Sequence, residues 1–234
     1  MSSRKLTCVS ITLIFVLWQC VELEAELQVG FYRTSCSMAE FIVKEEVREG
    51  FIGDKGVAAG LVRMHFHDCF VRVRGFGYDV PAGRRDGRIS LASEAFTNLP
   101  FPTFNINQLT GSFANKGFAQ EEMVTLSGAH TIGHSHCTSF SNSTSPNLVV
   151  PMNPTSPSIT DVGYYMDVLA NRGLFTSDQA LLTNPATANL VNQYARNPLL
   201  WKSRFAAAME KMGQIGVLTG TAGEIRANCR VINS

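Results

Sequence analysis

Asn197-Pro198 opens the most confining stretch of this sequence. The asparagine is a helix cap, and the proline stands at the first helical position, where its missing N–H costs nothing. Trp201, Phe205, Ala208 and Met212 then follow at the spacing of one helix face. The same grammar recurs upstream. Ser37 and Glu40 form a capping box ahead of Ile42, Val43, Val47 and Phe51. Asp54 caps a segment through Val57, Leu61 and Val62 to His67. Asn105 leads Ile106, Leu109 and Phe113, with Gly117 to end the helix. A fifth helix is predicted over Asp161 to Asn171, stopped at Gly173. Residues 121 to 137 hold a further, histidine-bearing segment, and the Ser-, Asn-, Thr- and Pro-rich run 138–160 reads as loop. With no internal repeat and no strand–helix alternation, the pattern specifies one mainly α domain.

The first residues read as a targeting signal. Arg4 and Lys5 precede an apolar run from Leu6 to Trp18, too short to span a bilayer, and Ala25 ends a cleavage site. Residues 1–25 are therefore expected to leave, and 26–234 to form the mature domain. No later segment reaches 18 apolar residues, so no membrane association is expected after cleavage. A net charge of +1 and the lack of any Lys/Arg block exclude a nucleic-acid surface. Secretion implies an oxidising compartment, where Cys36, Cys69, Cys137 and Cys229 have three possible pairings. Asn142-Ser143-Thr144 is a glycosylation sequon.

All five histidines fall in two places: His65 and His67, then His130, His134 and His136. One chemistry for such clusters is a zinc site completed by Cys69 and Cys137. The other is a haem gripped on one side and worked from the other. Arg63 and His67 lie one helical turn apart. An arginine is a poor neighbour for a dication. Beside a neutral histidine, though, it suits cleavage of a peroxide, where a base moves a proton and a fixed cation meets developing charge.

"AAGLVRMHFHDCFV" resembles the distal helix of the secreted plant haem peroxidases, and "LSGAHTIGHSHC" resembles their proximal helix. "LQVGFYRTSC", "VPAGRRDGR", "NLPFP", "GLFTSDQALL", "AAAMEKMGQIGVLTG" and "GEIRANC" are similar too, in family order. The resemblance implies a mainly α haem-peroxidase fold, haem b, and oxidation of small phenolic donors by hydrogen peroxide. It implies His67 as acid–base, Arg63 as the stabilising cation and Phe66 at the haem edge. It implies His130 as the iron ligand, with Asp178 accepting that ring's other N–H. The carbonyl of Pro100 would meet the donor. Asp68 resembles a distal calcium ligand. Thr131, Ser156, Ile159 (through its carbonyl) and Asp161 resemble the proximal calcium shell, the better preserved of the two calcium sites, although Asn153 stands where an aspartate is usual. A secreted monomer of the cell wall or apoplast is implied, with the vacuole as the other destination.

The resemblance also breaks at two places. "RVRGFGYDV" runs almost directly into "PAGRRDGR", and "STSPNLVVPMNP" follows "CTSFSN" too soon. Two internal segments are thus expected to be missing, near 72–78 and near 142–146, leaving the distal side incomplete. With them would go the other distal calcium ligands, the asparagine that orients His67, and the partner of each mature cysteine. The alternative reading is a non-catalytic or unstable truncated product that binds haem poorly.

Overall fold

Side-chain caps decide where several helices begin. In the computed structural model, which describes residues 27–68, 80–89, 91–141, 145, 147–228 and 230–234 (the side chains of 64–68 and 92 excepted), Asn105, Asn184 and Asn197 each accept a backbone N–H of the turn they open. The helices are α1 (Ala39–Gly53), α2 (Gly56–Asp68), α3 (Ala92–Asn98), α4 (Ile106–Ala114) and α5 (Gln120–Ser127). After these come α6 (Gly163–Leu169), α7 (Thr176–Ala180), α8 (Pro185–Arg196) and α9 (Pro198–Met212). Two short strands, β1 (His134–His136) and β2 (Val149–Pro151), pair antiparallel with Ser135 opposite Val150. The fold is mainly α, as the sequence implies. Residues 1–26, Cys69, Cys229 and the Asn142 sequon lie outside the described residues.

The core sits among α5, α6, α8 and α9. Trp201, Tyr165, Tyr194, Met123, Leu181, Val124, Val168 and Val191 are fully buried there. Aromatic edges organise it: Tyr165 meets Tyr164, Tyr194 and Trp201 at ring separations of 5.1, 5.4 and 5.9 Å. A smaller cluster of Phe118, Leu126, Ala208 and Met209 joins α5 to α9, and Phe205 touches both clusters.

Three local expectations need correction. Ser37 does not cap α1; the helix starts at Ala39 after Met38, without a side-chain cap. Its apolar face is not interior either: α1 buries no residue, and Phe41, Ile42 and Val43 are each more than half exposed. Its main neighbour among the described residues is α2. The run 138–160 is not all loop, because β2 lies in it. Cys36 and Cys137 are free thiols, exposed and buried respectively.

The strip 80–88 is tied to the C-terminal segment. Asp86 and Glu224 exchange backbone hydrogen bonds of 2.7 and 2.9 Å. Arg84 donates to the Gly213 carbonyl through Nε and Nη2 at 3.0 and 2.6 Å.

Trp201 is fully buried and its Nε1–H donates to the Thr125 carbonyl at 3.1 Å. Trp201→Ala removes that donor and leaves a cavity, and is expected to cost about 3–5 kcal/mol. Urea denaturation followed by circular dichroism measures it. A loss below about 1 kcal/mol would mean that the site collapses around the smaller side chain.

Candidate active site

Helix α5 ends inside the core, where the Gly128 N–H donates to the Thr125 and Leu126 carbonyls but the last turn still needs further donors. Side chains from two other helices supply the donors. Tyr165 Oη donates to the carbonyls of Val124 and Thr125 at 2.9 and 3.1 Å, and Trp201 Nε1 joins it on Thr125. Burial, then the neighbouring Tyr194, push the Tyr165 hydroxyl well above the usual phenol range, so it remains a donor. Gly128 fits beneath this pair: a Cβ there would stand 2.6 Å from both Trp201 Nε1 and Tyr165 Oη. The chain therefore turns at this point into a 3-10 turn, Gly128–Thr131, and that turn carries His130.

His130 Nδ1 lies 2.7 Å from Asp178 Oδ1. A carboxylate only accepts, so Nδ1 carries the proton. Asp178 sits in the first turn of α7, with its side chain only 2% exposed. It accepts two further bonds: from Tyr164 Oη at 3.0 Å on Oδ1 and from the Phe175 N–H at 2.8 Å on Oδ2. Burial, then the Asp178 charge and Tyr165, push the Tyr164 hydroxyl well above its ordinary value, so it too stays a donor. The rings of Tyr164 and Phe175 stand edge-on to the imidazole at 5.8 and 5.4 Å.

Burial is the strongest single influence on His130 and disfavours the imidazolium. The charge of Asp178 and its hydrogen bond together outweigh it, and the His130 pKa lies above its ordinary value. The side chain keeps 39% exposure, which limits the cost of burial and leaves the upward shift standing. With Nδ1 committed, Nε2 is the nitrogen left over, and it makes no hydrogen bond to a described residue. An oriented imidazole with a carboxylate behind it and its far nitrogen open fits the axial ligand of a haem iron.

The other expected residues fall into three groups. Arg63 is exposed on α2, and the backbone stays helical through 67, so Arg63 and His67 are one turn apart. The side chains of Phe66, His67 and Asp68 lie outside the described residues. Helix α2 comes against the segment that follows His130, since a Cβ on Gly133 would stand 3.0 Å from that of Ala59. Pro100 is partly buried, and its loop is held to α7 by a 2.9 Å bond from the Ser177 N–H to the Pro102 carbonyl. Thr131, Ser156 and Asp161 converge on Asn153, and the Ile159 N–H donates to the Ser156 carbonyl at 3.2 Å while its side chain faces outward. Among the described residues no group of three or more His, Cys, Asp or Glu could hold a metal. His134 and His136 point outward from β1, on a strand and not on a continuation of the helix.

Residues the sequence did not single out also build the site. Tyr164 is fourteen positions from Asp178 in the chain, and Gly128 matters only because α6 and α9 arrive above it. Neither has a local signature.

For the haem-free chain, the folded state holds the His130 proton more tightly than the unfolded state does. The His130–Asp178 pair thus adds stability that is full below the ordinary imidazole value, near 6.5, and is lost as pH rises through the raised folded value. Asp178→Asn is expected to lower the His130 pKa and to flatten stability across that window. Proton NMR titration of the imidazole reads the first effect and pH-dependent urea melts the second. An unchanged His130 titration would show that Asp178 does not hold the proton.

Comparison with known proteins identifies the family. A model of the peroxidase family matches residues 71–197. The chain is 54% identical to Peroxidase 5 of Vitis vinifera, over the whole of both sequences. It is 36% identical to Peroxidase 1 of Zea mays, covering 89% of this chain and 84% of that protein. To Peroxidase 3 of Arabidopsis thaliana it is 37% identical, over 91% and 94%. The Vitis alignment spans 329 positions, 95 more than this chain has residues, so that many positions stand opposite gaps in this chain. With an oriented His130–Asp178 pair in a mainly α fold and relatives of this likeness, the chain belongs to the plant peroxidase family of hydrogen-peroxide-dependent haem enzymes.

Proposed function

We propose that this chain is a secreted peroxidase that oxidises small phenolic donors, with haem b held by His130 and peroxide worked from the α2 side. The observation that carries this reading is the 2.7 Å His130–Asp178 contact, which leaves Nε2 open. When bound, haem supplies the iron that exchanges electrons with peroxide and donor. The chain's residues do the rest. Asp178 keeps the proton on Nδ1 and makes the imidazole a stronger electron donor. His67 takes a proton from one peroxide oxygen and returns it to the other. Arg63 stabilises the charge that develops on the departing oxygen. Phe66 flanks the reacting edge, and the Pro100 carbonyl receives the donor hydroxyl.

The absent positions belong, in this reading, near 72–78 and 142–146. A distal side lacking them admits more water, which weakens the field of Arg63. It also leaves His67 with fewer restraints, and catalytic groups need placement within roughly 0.5 Å. The peroxide-consuming step is therefore slower than in a relative without the gaps, while donor oxidation suffers less because the 98–104 segment is present. Residues 1–25 act as the secretion signal.

His130→Ala tests the ligand. The expected outcome is loss of retained haem after reconstitution and gel filtration, read from the Soret band; an unchanged band would overturn the assignment. Arg63→Leu tests the cation. Stopped-flow mixing with peroxide is expected to show a first step slower by about 100-fold or more, with donor affinity unchanged. An equal rate would remove Arg63 from the mechanism.

A further inference from the structure

The cluster behind His130 is closed by an amide. Asn153 is fully buried, and its Nδ2 points into a ring of oxygens: Ser156 Oγ at 3.0 Å, Thr131 Oγ1 at 3.2 Å and Asp161 Oδ1 at 3.5 Å. The two hydroxyls donate onward to the same carboxylate, Thr131 to Oδ1 at 2.9 Å and Ser156 to Oδ2 at 2.6 Å. Their lone pairs are thereby left to accept from the amide. The Gly163 N–H adds a 2.8 Å bond to Oδ1. The amide's two protons serve the two hydroxyl oxygens, with Asp161 Oδ1 at the edge of reach, and no two donors in the ring face each other.

The amide cannot simply be reversed. Its Oδ1 accepts the Thr155 N–H at 3.1 Å, so turning it over would set an NH₂ against an N–H. A calcium ion asks for six to eight oxygens at roughly 2.3–2.6 Å, with enough negative charge to repay its dehydration. This ring offers one carboxylate and has a nitrogen at its centre. The amide also packs directly on Gly163, where an added Cβ would stand 2.4 Å from Asn153 Nδ2. The residues present therefore do not fit the proximal calcium that the family resemblance implies.

We propose that the Asn153 carboxamide takes the place of a bound cation, so that this chain fixes its His130-bearing turn without calcium. Thr131 follows His130 directly and is fully buried. Its hydroxyl is the member of the ring that pins the turn, and hydrogen bonds from one amide do what ion coordination would otherwise do.

The test is thermal unfolding of the full chain in excess calcium chloride and in excess chelator. Wild type is expected to melt at the same temperature in both. N153D replaces the central donor with a second carboxylate. It is expected to melt below wild type in chelator and to rise in calcium by roughly 3–5 °C for each tenfold excess over the dissociation constant. A wild-type midpoint that climbs with calcium, with the climb abolished by Asp161→Asn, would overturn the proposal. So would an N153D variant that folds and is indifferent to calcium. A wild-type response that survives Asp161→Asn arises outside the ring and agrees with the proposal. If N153D does not fold, terbium luminescence of wild type decides. Tyrosine-sensitised emission lost on Asp161→Asn refutes the amide closure, and no such emission supports it.

Discussion

A helix that ends in the interior must have its last carbonyls met, and the rest of this molecule is arranged around meeting those of α5. Left unpaired in the core, each would cost about 1–3 kcal/mol. The Gly128 N–H meets Thr125 and Leu126, Tyr165 meets Val124, and Tyr165 and Trp201 add two more donors to Thr125, for which they must come from α6 and α9. That requirement brings those helices together over Gly128. It also sets the point at which the chain leaves α5, and so where His130 stands. The packing of the core and the placement of the imidazole are thus one problem with one solution.

Around His130 the polar groups are graded by exposure. Asp178 is buried and committed to three donors, so it cannot drift; the imidazole it holds is partly open. Asp161 does the same for the next residue of the turn, gathering the Thr131 and Ser156 hydroxyls and the Gly163 N–H. Two carboxylates, each saturated by neutral donors, fix consecutive residues of a 3-10 turn. Neither the turn's own hydrogen bonds nor its length would hold it so firmly.

How much of this is legible in the sequence depends on the range of the interaction. Asn105 and Asn197 announce their helices because a cap acts within three residues. Asn184-Pro185 carries the same signature as Asn197-Pro198 and opens α8, a helix not among those expected. The segment after His130 reads as helical, yet Gly133 has a φ of +99° and β1 pairs with β2. The helical reading of 121–137 gives way there to a strand partner arriving from fifteen residues away. The His130–Asp178 pair, 48 residues apart, is reached only through resemblance to a family. For Asn153 the sequence indicates a lost charge, but not that the amide nitrogen faces inward, because that depends on the Thr155 N–H.

The tie between 80–88 and the C-terminal segment bears on the order in which the molecule can be made. Arg84 waits for a carbonyl 129 residues later, and Arg226 reaches back 139 residues to Gly87. Synthesis proceeds from the N-terminus, so this strip emerges long before its partners exist. Pairing across such separations bears a large loop-closure cost and comes late in folding. While the ribosome is still producing α8 and α9, the early strip has unmatched backbone donors and acceptors. The tie can close only after residues 213–226 have been made.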